Sequence, residues 1–151
     1  MRCFPSEALV NRVGCMSVGI TGRYLGRKKT EMVHEPSGSS IVTEAPKDNG
    51  GEGLVFSPTD LIAAAFGSCV VTTIAIVAER SSLDITGTHF RVEKEMQQDP
   101  RRVGSIPLSV HLPAHLTQTE RNKLELAGRA CPVHKSLHPD VRADIVFFYD
   151  V

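Results

Sequence analysis

Between Leu61 and Ala78 the chain runs for eighteen residues, LIAAAFGSCVVTTIAIVA, without one charged side chain. That length sits at the lower edge of what spans a bilayer, and the segment is apolar on every side of a helical wheel. Such a helix is buried either in lipid or in protein. Five alanines, together with Gly67, Ser68, Cys69, Thr72 and Thr73, dilute its hydrophobicity. The flanking sequence reads as a soluble domain, so protein is the expected surrounding and no membrane partner is expected. A chain of 151 residues makes one domain of ordinary size. Wrapping a helix on all faces asks for more cover than such a domain supplies, which points to an oligomer.

The helix ends are signposted. Ser57 is placed to cap, Pro58 falls at the first helical position and Asp60 lies in the first turn. The spacing predicts a helix from there to about Ser81, roughly 36 Å long. Upstream, Met16–Tyr24, Thr30–His34 and Ser40–Thr43 carry β-like runs separated by Gly26 and by Pro36-Ser37-Gly38. Residues 45–58 read as a surface loop; their glycines lack the Gly-x-x-x-x-Gly-Lys spacing of a phosphate cradle. Downstream, alternation returns in Thr86–Met96, with Thr88, Phe90 and Val92 on one face, and again in Ile106–Leu112. Thr117 and Glu120 form a Thr-x-x-Glu capping box that opens a second helix reaching about Ala130. Pro132 begins a short helical turn to Leu137, with Cys131 as its N-cap, and Asp144–Tyr149 closes as a strand. The order βββ-α-ββ-α-β, with helices separated by runs of strands, is α+β with largely antiparallel sheets. Residues 1–16 read as an N-terminal extension and 17–151 as the folded domain.

Charge narrows the function classes. Seventeen Lys and Arg balance seventeen Asp and Glu. Nucleic-acid binding usually needs a basic face, so no nucleic-acid partner is expected. The cluster Arg23, Arg27, Lys28 and Lys29 reads as a solvated strand edge. Met1–Arg12, with Pro5, Glu7 and Asn11, offers no apolar run for a secretory signal, and a cytoplasmic location is expected.

Four cysteines remain: Cys3, Cys15, Cys69 and Cys131. No Cys-x-x-Cys pair occurs, and a structural disulfide framework is not expected without secretion. Cys69, among Ala and Val, reads by itself as a core thiol whose reactivity burial would suppress. Cys131 differs, because helix-turn N–H groups at an N-cap favour a thiolate. Cys131-Pro132-Val133-His134 is half of a zinc site, to which His138 or Cys69 would have to add ligands. With no second ligand pair at fixed spacing, neither a metal nor a cofactor is expected. Phe66-Gly67-Ser68-Cys69 lacks the Gly-x-Ser-x-Gly elbow of serine hydrolases, and no His-Glu-x-x-His or dinucleotide fingerprint is present.

Several blocks together resemble the OsmC/Ohr family, the osmotically-inducible-protein-C and organic-hydroperoxide-resistance group. They are Ser57-Pro58-Thr59-Asp60-Leu61, Ala63-Ala64-Ala65-Phe66-Gly67-Ser68-Cys69 and Ala78-Glu79-Arg80 on the central helix. Glu35-Pro36-Ser37-Gly38 precedes them, and Arg101-Arg102-Val103 and Ala130-Cys131-Pro132-Val133-His134-Lys135-Ser136-Leu137 follow. The likeness spans about residues 17–151 and fits the general OsmC-like branch. It implies an intertwined homodimer whose long central helices are enclosed by two sheets. It also implies a thiol peroxidase acting in oxidative or osmotic stress defence. Cys69 would attack an organic hydroperoxide and become a sulfenic acid. Cys131 would then close a disulfide with it, and an external dithiol would reduce that disulfide.

The resemblance also implies an N-terminal Arg that holds the thiolate; Arg27 maps best, with Arg23 the competitor. The hydroperoxide-resistance branch places a Glu ten residues before the reactive Cys. Here Thr59 stands there, with Asp60 adjacent as the candidate carboxylate, about 100° around the helix. Glu79 is a further candidate of unassigned role. The alternative function is a non-enzymatic stress-related or ligand-binding protein that keeps the cavity and thiols without turnover.

Overall fold

A computed structural model describes residues 17–151, so the expected extension at 1–16, with Cys3 and Cys15, lies outside the described residues. The chain divides into two units, one ending at Val55 and the other running from Phe56 to Val151.

In the first unit β1 (Ile20–Gly26), β2 (Lys29–His34) and β3 (Ser40–Glu44) form an antiparallel meander in the order β1-β2-β3. The β1–β2 link is a two-residue turn, Gly26 pairing Lys29 around Arg27 and Lys28. Both turn residues are left-handed, with φ of 49° and 62°. Hairpin turns of this hand match strand twist, but they usually carry Asn or Gly. Placing Arg and Lys there costs of order 1 kcal/mol each. After β3, Glu44 is buried and its carboxylate accepts the N–H groups of Glu52 (2.7 Å) and Leu54 (3.3 Å). These bonds tie down the 45–55 loop, whose only regular piece is a 3₁₀ turn over Lys47–Asn49. They also lower the Glu44 pKa, the Glu52 N–H most of all.

The second unit is organised by α1 (Pro58–Arg80). Its capping box is complete: Ser57 Oγ accepts the Asp60 N–H (3.2 Å) and Asp60 Oδ2 accepts the Ser57 N–H (2.7 Å). Then come β4 (His89–Val92), β5 (Glu95–Gln98), β6 (Arg101–Ser105), β7 (Leu108–Leu112), α2 (Gln118–Arg129), α3 (Pro132–Ser136) and β8 (Ile145–Tyr149). β7 lies between β4, antiparallel to it, and β8, parallel to it, while β5 and β6 form a separate hairpin. The Thr117–Glu120 capping box opens α2 as expected.

The α+β class read from the element order holds, and one count changes. Four strands, not two, stand between α1 and α2. The run Thr86–Met96 breaks at Glu93-Lys94 into β4 and β5, and Arg101–Ser105 is a strand despite lacking apolar alternation.

α1 buries one face, Ala63, Phe66, Gly67, Val70, Ile74 and Ala78. That face joins Leu108, Val110, Leu112, Leu124 and Ile145 in the core. The helix is long and apolar enough to cross a membrane, but a third of its apolar window is buried in this core. Its opposite stripe is uncovered in the single chain, with Ile62 at 39% and Ile76 at 44% exposure.

Candidate functional site

The helix that carries Cys69 and the short helix that carries Cys131 are neighbours in the second unit. α3 begins directly beyond α2, and Pro132 at its first position fixes the backbone that follows Cys131. Both thiols are reduced; Cys69 is half-buried, whereas Cys131 is fully enclosed. Across α1 and α3, sixty-two positions apart in sequence, Cys69 lies near enough to Cys131 to raise its pKa.

The environment of Cys131 corrects one expectation. Its position as N-cap does turn the Val133 and His134 N–H groups toward the sulfur, and both pull its pKa down. Neither makes a well-formed cap hydrogen bond. Burial is the larger effect and pushes the thiol up, helped by the hydrogen-bonding interaction with Cys69. Cys131 is therefore a protonated thiol at neutral pH rather than the ready thiolate that its place on the helix implied.

Cys131 belongs to the apolar core and Cys69 packs against it. Phe66 is fully buried one turn before Cys69, and the His134 ring lies against it at 5.2 Å with a 57° tilt. Phe90 of β4 rests on α1 at Gly67, where a β-carbon would come within 2.3 Å of the ring. Glycine at that position is what lets the aromatic ring reach the helix backbone. Among the described residues no three His, Cys, Asp or Glu side chains gather as a metal-binding group.

Asp60 is engaged at both oxygens, Oδ2 in the cap and Oδ1 with Lys94 Nζ at 2.6 Å. Burial raises its pKa, but the bonds from Lys94 and Ser57 outweigh this and leave it lowered. Thr59 Oγ1 also accepts from Lys94 Nζ (2.9 Å), so the position ten residues before Cys69 receives an ammonium from the same unit. Only 15% of the Lys94 side chain is exposed. Lys94 escaped the sequence reading, although extending the Thr88, Phe90, Val92 alternation by two residues leads to it.

In the first unit Arg23 is tied to Glu31 across the strands (2.6 Å). Arg27 makes no hydrogen bond or ion pair among the described residues. It lines a cleft of about 310 Å³ with Lys28, Glu44, Gly50 and Glu52. Glu79 and Arg80 are both exposed at the end of α1.

The family model for OsmC-like proteins matches residues 50–146. A Psychrobacter arcticus protein assigned to osmotic stress induction and detoxification response has a similar solved structure. It shares 36% identity with a TM-score of 0.80, covering 89% of this chain and 96% of its own. An organic hydroperoxide resistance protein of Elizabethkingia anophelis, solved with thiocyanate bound, is 15% identical with a TM-score of 0.72, over 92% and 100% of the two chains. The organic hydroperoxide resistance protein OsmC of Legionella pneumophila is 20% identical with a TM-score of 0.68, over 88% and 97%. At those lower identities the likeness is one of fold. No functionally curated protein matches the sequence.

Proposed function

The chain belongs to the OsmC-like protein family, and on that premise we propose that it is a cysteine-based peroxidase reducing organic hydroperoxides in stress defence. The observation that carries the reading is the proximity of two reduced thiols on adjacent helices, one half-buried and one enclosed, near enough that Cys69 raises the Cys131 pKa. Cys69, as thiolate, attacks the terminal oxygen of ROOH. The O–O bond breaks, RO⁻ leaves and takes a proton as ROH, and Cys69 becomes a sulfenic acid. The sulfur of Cys131 then displaces the sulfenic oxygen. Its thiol proton leaves with that oxygen as water, and a Cys69–Cys131 disulfide remains. An external dithiol returns both cysteines to thiols while being oxidised to its own disulfide.

The raised Cys131 pKa suits this order of events. A resolving thiol that stays protonated does not compete for peroxide, and the apolar stripe of α1 around Cys69 suits the R group of an organic hydroperoxide. Arg27, whose guanidinium has no ion-pair partner among the described residues, is proposed as the group that holds the Cys69 thiolate. Asp60, paired with Lys94, is proposed as the carboxylate of the site.

We further propose that the working form is a homodimer. Ile62, Ala65, Cys69, Thr72 and Ile76 follow one another at alternating steps of three and four along α1, the spacing of a helix–helix seam. All but half-buried Cys69 are exposed in the single chain. A second copy laid along this stripe would enclose Cys69. Turnover of cumene hydroperoxide with dithiothreitol, measured for wild type and Cys69→Ser, tests the peroxidase reading. Dithiol-dependent loss of peroxide that disappears in Cys69→Ser supports it. No turnover in wild type would favour the non-enzymatic binding protein.

A further inference from the structure

The face of the β4–β7–β8 sheet turned away from α1 carries a row of rings that the thiol chemistry does not use. His89 on β4 pairs directly with His111 on β7, and His111 pairs with Phe148 on β8. The two imidazoles are stacked, with centroids 4.6 Å apart and planes 4° from parallel. Phe148 stacks on the other side of His111 at 4.9 Å and 16°, which fixes the plane of the middle ring.

The hydrogen bonds decide which nitrogens are free. His111 Nδ1 lies 2.9 and 3.0 Å from the two carboxylate oxygens of Asp150. His89 Nδ1 lies 3.2 Å from the Gly87 carbonyl oxygen. A carbonyl and a carboxylate can only accept, so in both neutral rings Nδ1 carries the hydrogen and Nε2 keeps its lone pair. Gly87 precedes His89 by two residues, just before β4; Asp150 follows Phe148 by two, just beyond β8. With β4 antiparallel and β8 parallel to β7, both partners lie toward the same end of the row. Both Nδ1 edges therefore face one way, and both Nε2 atoms share the opposite, outer edge. An oxygen acceptor on Nδ1 that fixes tautomer and ring orientation is the outer shell found around metal-bound histidines. The neighbouring charge on this face, Arg91, is compensated by Glu93 at 2.8 Å.

We propose that His89 and His111 form a binding site for one divalent transition-metal ion, held through the two Nε2 atoms and completed by water. Parallel rings 4.6 Å apart cannot both aim Nε2 at one ion at roughly 2.0–2.1 Å, so binding requires them to turn well out of their stack until the two lone pairs converge. His89 is exposed and can turn by stretching its long 3.2 Å contact with the Gly87 carbonyl, while His111 stays held by Phe148 and Asp150. Nitrogen ligands of this kind suit copper, nickel and zinc, with Cu²⁺ the tightest. The site lies apart from the thiol pair and does not depend on the peroxidase reading.

The test uses untagged protein in two forms. In a chain with all four cysteines replaced by serine, checked for native circular dichroism, Cu²⁺ is titrated calorimetrically and followed by electron paramagnetic resonance. One equivalent per chain with a two-nitrogen signature is expected. His89→Gln and His111→Gln should each weaken it at least about tenfold and leave one nitrogen, and Asp150→Asn should weaken it about 10–100-fold. In the unmodified chain, Ni²⁺ should broaden amide resonances centred on residues 89 and 111. Broadening centred on His34, His115, His134 or His138 instead, or a first equivalent unchanged by both Gln variants, would overturn the proposal. So would the absence of binding at 0.1 mM metal (about ten times a typical protein concentration for such a titration).

Discussion

Replacing Gly67 with alanine tests the contact that seats Phe90 on the central helix. A β-carbon at Gly67 would stand 2.3 Å from Phe90 Cε2, 2.7 Å from Cδ2 and 3.1 Å from Cζ. Ordinary carbon contacts begin near 3.5 Å, so the ring must retreat by roughly 1.2 Å. Overpacking of this size costs about 1–3 kcal/mol. Two things reduce the net effect: Phe90 is 37% exposed and has room to turn outward, and alanine is the better helix former by about 1 kcal/mol. The expected net loss for Gly67→Ala is up to about 2 kcal/mol, read as a lower urea midpoint with an unchanged slope. The sign should reverse in a Phe90→Ala background. With the ring gone only the helix-propensity gain remains, and the second substitution should stabilise by about 1 kcal/mol. Because Gly67 lies two residues before Cys69, the single variant should also alter the alkylation rate of Cys69. A Gly67→Ala chain at least as stable as wild type, or the same destabilisation with and without Phe90, would refute the reasoning.

Three further outcomes follow from the site. Burial holds the Cys131 thiol above its ordinary value of about 9, so folding stability from this group is intact below that pH and is lost as pH rises through the folded value. In Cys69→Ser, where burial persists, Cys131 should alkylate far more slowly at pH 8 than a free thiol; ionisation at or below pH 8.5 would contradict this. Asp60 is displaced the other way, so its stabilisation is present above its ordinary value near 4 and disappears as pH falls through the lower folded value. Asp60→Ala should cost about 1 kcal/mol at neutral pH through the lost cap, and the gap from wild type should close in urea titrations run below pH 3. Finally, Arg27→Met should slow Cys69 alkylation at neutral pH while Arg23→Met, which breaks only an exposed pair with Glu31, should not; the reverse pattern would move the role to Arg23.

What was legible in the sequence was local. Ser57, Pro58 and Asp60 announced α1, and Thr117 with Glu120 announced α2, because caps are built from residues three apart. Cys131 before Pro132 announced α3 in the same way. The break at Glu93-Lys94 was not legible, since residues 86–96 alternate well enough for one strand and only the pairing of β4 with β7 and β5 with β6 divides them. Arg101–Ser105 was missed because its side chains carry no apolar alternation. Nor does spacing reveal that Cys131 is enclosed: its helix position argued for a thiolate, and the packing of α3 against α1 decided against it. Lys94 reaches Asp60 across thirty-four positions, a contact that only the tertiary fold creates.

The central claim, that Cys69 and Cys131 are one redox pair, is tested most directly by peptide mapping after a single equivalent of organic hydroperoxide. Reduced wild-type protein should yield an intrachain Cys69–Cys131 bridge and one equivalent of alcohol. Cys131→Ser should consume the same equivalent and then proceed, with more peroxide, to the sulfinic acid at Cys69. A bridge to Cys3 or Cys15 instead, or four intact thiols after peroxide, would contradict the account.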